Sequence, residues 1–247
     1  MRANHFLKAT AGLAAIAAIG LVALTSTSTL RAQTSSSAAT DTRVLQGFAI
    51  APVPLNLDGK DINLVGLGSY LVNAVGDCNG CHTGGAPPNF NYLSGRNPYF
   101  NQTAIVNPKE YLNGGQPFGQ VGTPTGPSMY AGPTIVSRNL TPDKTGMPEG
   151  GHTLAQFMQI MRTGIDFDHI HPTCTAGQII AIQGGATPNC IPTSPGNTAD
   201  GNLLQVMPWP TFANMQNHDL EAIYAYLSAI PCIANPVSSG ILHNVCK

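Results

Sequence analysis

The stretch GDCNGCHTGG, residues 76–85, contains two cysteines separated by two residues and followed directly by a histidine. These are Cys78, Cys81 and His82. Such a pentad is compatible with a zinc site, a redox-active disulfide or the covalent attachment of a c-type haem. The sequence around the pentad separates these three chemistries.

Zinc and disulfide chemistry both lack the context that they need. A structural zinc site has four ligands, commonly two pairs of Cys or His at short spacing, and no second C-x-x-C or H-x3-H follows the pentad. A thioredoxin-like motif lies between a strand and a helix, whereas a helical pattern precedes this pentad and Gly84 and Gly85 follow it. Haem attachment requires this spacing, because two thiols add to neighbouring vinyl groups and the next residue brings its imidazole to the iron.

The N-terminus has the pattern of a secretory signal. Arg2 and Lys8 precede an apolar run of 14 residues, 11–24, and a Ser/Thr-rich stretch leads to Ala32. This pattern predicts a signal peptide over 1–32 with cleavage after Ala32. The alternative is an uncleaved anchor, but the run is shorter than the roughly 20 residues that span a membrane. We expect an exported protein in the periplasm or on the outer side of the cytoplasmic membrane, with no transmembrane segment in the mature chain.

The charge of the predicted mature chain is low. Residues 33–247 contain 8 Lys and Arg and 12 Asp and Glu, and the basic residues are not clustered. This distribution disfavours nucleic acid as a partner. Residues 33–58 contain Pro52 and Pro54 and are predicted to form an extended N-terminal arm, and residues 59–247 are predicted to form one domain.

Four cysteines lie outside the pentad: Cys174, Cys190, Cys232 and Cys246. An even number of cysteines in an exported protein indicates disulfides. Four cysteines allow three pairings. Proximity in the sequence favours Cys174–Cys190 and Cys232–Cys246.

Helical patterns flank a long stretch that is rich in glycine and proline. Leucines recur at helical spacing over 64–71, just before the pentad. Thr153 and Gln156 form a predicted capping box for a helix of about ten residues that ends at Gly164. A last helix is predicted over 217–230, before Pro231. Between the first two, residues 84–151 contain 10 prolines and 12 glycines, a density that excludes a long helix or a central strand. The predicted fold class is all-α, with few helices and long loops.

Four segments resemble bacterial c-type cytochromes, and more narrowly the cytochrome modules associated with membrane-bound alcohol and sugar-acid dehydrogenases. GSYLVNAVGDCNGCHT (68–83) resembles their first helix and haem site. SRNLTPDKTG (137–146) resembles their NITPD segment, and HTLAQFMQIMRTG (152–164) resembles the helix that follows. VMPWPTFANMQNHDLEAIYAYLSAIP (206–231) resembles their methionine loop and C-terminal helix. Those modules usually occur three to a chain, whereas this chain has one pentad and a distinctive cysteine-bearing loop over 170–203.

The resemblance implies a cytochrome c-like fold around one covalently attached haem c. Cys78 and Cys81 would be the thioether attachment sites, His82 the proximal iron ligand and Met207 the distal ligand. The first helix, near Gly68, would cross the last helix, near Tyr224 and Leu227. Two further residues would contact the haem propionates: Arg138 and Trp209.

The residues themselves leave the distal ligand open. Met207 lies in VMPWPTF, where Pro208 and Pro210 stiffen the backbone and lower the entropy cost of holding a weak ligand. Its rivals are His169 and His171 in DFDHIHP. The other candidate methionines are predicted to lie in the core, in loops or under the last helix: Met129, Met147, Met158, Met161 and Met215.

The predicted function is one-electron transfer outside the cytoplasm by a protein that is not itself an enzyme. His/Met ligation leaves no open iron position and raises the reduction potential. The expected partner is a redox protein, either a dehydrogenase or an oxidase. The alternative is a haem enzyme or gas sensor with an open or labile distal site.

Overall fold

The computed structural model describes residues 41–84, 91–121, 130–193, 199–235 and 244–246. The predicted signal peptide and Met129 lie outside these residues. The described chain forms the following helices: α1 (Thr42–Ile50), α2 (Ile62–Tyr70), α3 (Cys78–Cys81), α4 (Pro148–Gly151), α5 (Leu154–Thr163), α6 (Ala176–Gln183), α7 (Trp209–Phe212) and α8 (Asn217–Leu227). A π-type segment, Leu71–Val75, continues α2, and Pro98–Phe100 forms a 3₁₀ turn. The strands are β1 (Pro117–Gln120) and β2 (Thr134–Val136).

The prediction of an all-α fold is wrong, because β1 and β2 form an antiparallel two-stranded sheet. Pro117 pairs with Val136 and Gln120 with Thr134, and an irregularity lies between these pairs. The density of glycine and proline excludes a long strand but not a short ribbon. Proline is tolerated at the first residue of a strand, where Pro117 lies.

The predicted extended arm is also wrong in part, because residues 42–50 form α1. The Asp41 side chain accepts a hydrogen bond from Arg43 N at 3.0 Å and caps this helix. Gly47 packs against the backbone of Gly66 in α2, where a Cβ atom would overlap the Gly66 carbonyl group. The buried Ser69 hydroxyl then donates to Gly47 O at 2.7 Å. Tertiary contact with α2 therefore stabilises a helix that its own sequence only weakly indicates.

The predicted crossing of the first and last helices is confirmed. A Cβ atom on Gly68 would overlap the Ala222 carbonyl group and lie 2.7 Å from Tyr226 Cβ. The backbones of α2 and α8 therefore approach closely at Gly68, opposite Ala222 and Tyr226, one to two residues before the predicted positions on α8. Buried apolar side chains surround this crossing: Val65, Leu67, Val72, Leu220, Ile223 and Leu227.

Two further local predictions are confirmed. The Thr153 hydroxyl and the Gln156 side chain form the reciprocal capping box of α5, and Gly164 ends that helix in the left-handed region at φ 71°. Both predicted disulfides are present, Cys174–Cys190 and Cys232–Cys246. No helix within the described ranges is long and apolar enough to cross a membrane.

Candidate functional site

A largely apolar cavity of about 400 Å³ is the candidate site. This volume falls within the range of about 300–1,000 Å³ that small-molecule and cofactor sites occupy. The four residues that the sequence predicts for haem binding, Cys78, Cys81, His82 and Met207, all line it. The structure therefore brings together residues that lie 125 positions apart in the chain. Further lining comes from apolar side chains of five elements or loops: Leu71, Phe118, Leu140, Phe157, Ile223 and Leu227.

The two thiols lie one helical turn apart in α3, a spacing that places them on the same face. Neither forms a disulfide. Asp77 starts the turn with a left-handed backbone, φ 43°. The Asp77 carboxylate lies close to the glycine between the cysteines, where a Cβ atom on Gly80 would lie 2.6 Å from Asp77 Oδ2. Burial raises the pKa of the Cys78 thiol to about 12, so this thiol is protonated at neutral pH.

The His82 imidazole is oriented by a backbone carbonyl group. Its Nδ1 atom lies 2.9 Å from Arg138 O, and since a carbonyl oxygen only accepts, Nδ1 carries the proton. Burial lowers the pKa of His82, which favours the neutral ring. Its Nε2 atom then has a lone pair available for a metal ion, the usual arrangement of a metal-binding histidine.

A loop before β1 holds His82 and Arg138 next to each other. Gly114 N donates to His82 O at 2.9 Å, and Gly115 N donates to Ser137 O at 2.9 Å. Gly114 has φ 73°, and a Cβ atom at this position would lie 2.5 Å from the carbonyl carbon of Arg138. The sheet continues this pairing, because β2 leads directly into Ser137 and Arg138. The strands that the sequence did not predict thus deliver the hydrogen-bond acceptor of His82.

The loop that carries Met207 is attached to the end of α5. Leu204 N donates to Gly164 O at 2.7 Å. The Trp209 indole packs directly on Gly164, where a Cβ atom would overlap the indole ring. Trp209 Nε1 donates to Leu204 O at 3.2 Å. Trp209 N also donates to Met207 O at 2.8 Å, which closes a tight turn around Pro208. These contacts hold Met207 at the cavity by a folded loop rather than by a helix.

Other potential iron ligands line the same cavity. Met161, predicted to be core, is 5% exposed and belongs to both the core and the cavity wall. Met215 and His171 also line the cavity. His171 Nδ1 lies 2.8 Å from Asn189 Oδ1. His169 has a left-handed backbone, and its amide donates to Asp166 Oδ1 at 3.1 Å.

A cluster of buried charges borders the cavity. Arg138 Nη2 lies 2.5 Å from Asp166 Oδ1, and Arg138 Nη1 lies 2.9 Å from Asp168 Oδ2. His152 Nε2 lies 3.8 Å from Asp168 Oδ1. Arg138 is thus shared by two carboxylates. The contacts of Arg138 and Trp209 with haem propionates remain predictions.

Sequence reasoning missed Glu149, which also lines the cavity and is 4% exposed. It precedes two glycines in the sequence MPEGGH and lies between two of the resembling segments, 137–146 and 152–164. A single carboxylate in a Gly/Pro-rich turn has no spacing or periodicity that distinguishes it from a surface residue. Its burial results from the tertiary fold.

Among the residues that the structure describes, no group of three or more His, Cys, Asp or Glu side chains is arranged to hold a metal ion.

Comparison with known proteins identified cytochrome c subunits that this chain resembles. The chain is 27% identical over 195 residues to the cytochrome c subunit of a quinone alcohol dehydrogenase from Gluconacetobacter polyoxogenes, and equally so to the protein of that name from Komagataeibacter europaeus. The match covers 78% of this chain and 27% of each relative, so the chain spans about a quarter of their length. No protein-family model matches the chain, and no solved structure matches it. The chain is therefore similar to a cytochrome c module of these subunits.

Proposed function

We propose that this protein is an exported c-type cytochrome that binds one haem covalently and carries single electrons between redox partners outside the cytoplasm. The observation that carries the proposal is the convergence of Cys78, Cys81, His82 and Met207 on one apolar cavity. The similarity to cytochrome c subunits supports it independently.

The residues of the cavity fit a c-type haem. Cys78 and Cys81 would supply two thiols from one helical turn for thioether bonds, and His82 would supply Nε2 as an iron ligand while Arg138 O holds its Nδ1. Met207 would supply a second iron ligand from its folded loop. The haem supplies reversible one-electron chemistry at its iron, and the protein contributes ligation, burial and hydrogen bonding.

The proposed partner is a dehydrogenase that donates electrons. The relatives are named as subunits of a quinone alcohol dehydrogenase. This sequence contains one C-x-x-C-H pentad, so we propose that it transfers electrons through one haem.

Covalent attachment is the decisive test. The protein is expressed with a c-type haem maturation system, denatured and extracted with acidic acetone, and the polypeptide mass is measured. We expect the haem to remain with the chain, a Cys78→Ala/Cys81→Ala variant to lose it, and each single variant to retain at most one thioether bond. A chain without haem, or with stoichiometric zinc, would refute the proposal.

A second experiment identifies the distal ligand. Met207→Ala should open the iron to carbon monoxide and lower the reduction potential, because a thioether stabilises the reduced iron. The matched variants are His171→Ala, Met161→Leu and Met215→Leu, which change the other potential ligands of the cavity. If one of these opens the site and Met207→Ala does not, the ligand assignment is wrong. An unmutated protein that binds carbon monoxide readily would favour the alternative function of a haem enzyme or gas sensor.

A further inference from the structure

Glu149 combines three features that ordinary packing does not explain. It lines the cavity, its side chain is almost fully buried, and its backbone has φ 52°. A non-glycine residue in this left-handed region costs on the order of 1–2 kcal/mol. Gly150 and Gly151, with φ 73° and 96°, follow directly. A glycine at position 149 would adopt the same left-handed backbone without strain. The structure instead retains a carboxyl group at this position.

The carboxyl group of Glu149 faces one guanidinium group, that of Arg138, which it shares with two aspartates. In the described part of the chain, the ionisable groups that face it are Arg138, His152, Asp166 and Asp168. Arg138 is engaged by both aspartates, at 2.5 and 2.9 Å. His152 donates from Nδ1 to the backbone carbonyl of Glu149, and its Nε2 faces Asp168. No hydrogen bond from a described residue reaches the Glu149 carboxyl group. Three carboxyl groups thus share one guanidinium group.

A buried carboxylate without a dedicated partner is sensitive to any charge added nearby. Burial raises the pKa of Glu149, and the neighbouring Arg138 and His152 side chains oppose this effect only in part. An electron placed in the same apolar cavity repels the carboxylate, and this repulsion is stronger than it would be in water because the effective dielectric constant is lower. A proton on the carboxyl group removes the repulsion.

We propose that Glu149 is a redox-linked proton site, which binds one proton when the cavity group accepts one electron. This inference rests on the proposed function. On reduction, one electron arrives from a donor redox protein, one proton arrives from water, and a new O–H bond converts the Glu149 carboxylate to the carboxylic acid. On oxidation the electron leaves to an acceptor protein and the proton returns to water. Charge is therefore conserved within the cavity during each turnover.

The midpoint potential of the haem-loaded protein, measured against pH, tests the inference. In the pH range between the two pKa values of Glu149, oxidised and reduced, we expect the potential to fall as pH rises. The steepest slope expected for one proton per electron is a tenfold change in the electron-binding equilibrium per pH unit, which corresponds to a change in midpoint potential of about 59 mV. Glu149→Gln should remove this slope and raise the potential at the alkaline end. The control is Glu110→Gln, an exposed glutamate that should leave the profile unchanged.

A second measurement detects the proton on the carboxyl group directly in the unmutated protein and then assigns it with the variant. The chain contains three glutamates, so labelling with ¹³C-carboxyl glutamate marks few groups. Reduced-minus-oxidised infrared spectra should show a protonated carboxyl band that shifts with this label and is absent from Glu149→Gln.

The outcomes separate this inference from the proposed function. A protein without a reversible one-electron couple contradicts both. A normal couple whose pH profile is the same in the wild-type protein and Glu149→Gln, with no label-sensitive carboxyl band, overturns the role of Glu149 and leaves the proposed function intact.

Discussion

The helical scaffold and the cavity region use glycine in opposite ways. In the scaffold, formed by α1, α2 and α8, Gly47, Gly66 and Gly68 lie within helices and allow backbones to touch. In the cavity region, formed by residues 76–84, 91–121, 130–152, 164–193 and 199–215, Gly114 and Gly164 adopt left-handed conformations that turn the chain. The glycines of the scaffold allow close helix packing, whereas the glycines of the cavity region turn the chain around a cavity of about 400 Å³.

This difference shows which part of the molecule depends on a ligand. The scaffold buries most of its apolar side chains against one another, although Ile223 and Leu227 of α8 also line the cavity. The cavity region exposes apolar side chains to its own interior, and voids of this kind forfeit the contacts that stabilise a packed core. The four predictions that follow test this division, from the largest expected effect to the smallest.

Removal of both haem-attachment thiols should affect the two regions unequally. In Cys78→Ala/Cys81→Ala, amide hydrogen exchange of Ser137 and Leu140 should accelerate on the order of tenfold or more, since their hydrogen bonds close the cavity wall. The amides of α8 should keep most of their protection. His171→Ala, which leaves attachment intact, is the control. Equal acceleration in both regions would show that they form one cooperative unit.

Close helix contact in the scaffold should not tolerate a methyl group. Gly68→Ala is expected to destabilise the protein by about 3 kcal/mol, because its Cβ atom would overlap rigid backbone of α8. The matched control is Gly177→Ala in α6, where nothing lies within 4 Å of the added atom. That variant should change stability by less than about 1 kcal/mol. Urea denaturation measures both, and similar midpoints would mean that α2 and α8 can separate at little cost.

The two disulfides should stabilise the protein similarly but act on different regions. Their sequence separations are 16 and 14 residues, and loops of this size contribute up to about 3 kcal/mol. Cys174→Ser/Cys190→Ser should also disturb the cavity, because Cys190 follows Asn189, the partner of His171. Cys232→Ser/Cys246→Ser should lower the stability without disturbing the cavity. Denaturation and haem absorption spectra separate these effects, and a changed spectrum in the second variant would contradict the assignment.

A single hydrogen bond that joins the two regions should have the smallest effect. The Tyr224 hydroxyl in α8 donates to His152 O at 3.0 Å. Tyr224→Phe should cost about 1 kcal/mol, the usual net value of one hydrogen bond. Tyr99→Phe, at a side chain that is 75% exposed, is the control and should leave the denaturation midpoint unchanged. A loss of stability in Tyr224→Phe that is accompanied by a shift of the haem absorption spectrum would indicate that the hydrogen bond also positions the cavity wall.

Predictions from the sequence succeeded where the information is local. The capping box of Thr153 and Gln156 satisfies two backbone groups within one turn, so its residues specify the start of α5 without help from the rest of the fold. Cysteine number and proximity identified both disulfide pairs. The prediction of an all-α fold failed because β1 and β2 are short and pair across 14 or more residues, a contact that no local pattern signals. The arm prediction failed over 42–50 because α1 depends on its contact with α2.

The sequence by itself determined the chemical groups that this protein can offer to a cofactor: two thiols and an imidazole at haem-attachment spacing, and a methionine followed by two stiffening prolines. Covalent spacing sets these relationships, so they hold in any fold. Only the tertiary structure decided that Arg138 O orients His82, 56 residues away, and that Glu149 is buried beside the same cavity. Those positions depend on which backbones can approach, and this is settled by packing between segments that are distant in the chain.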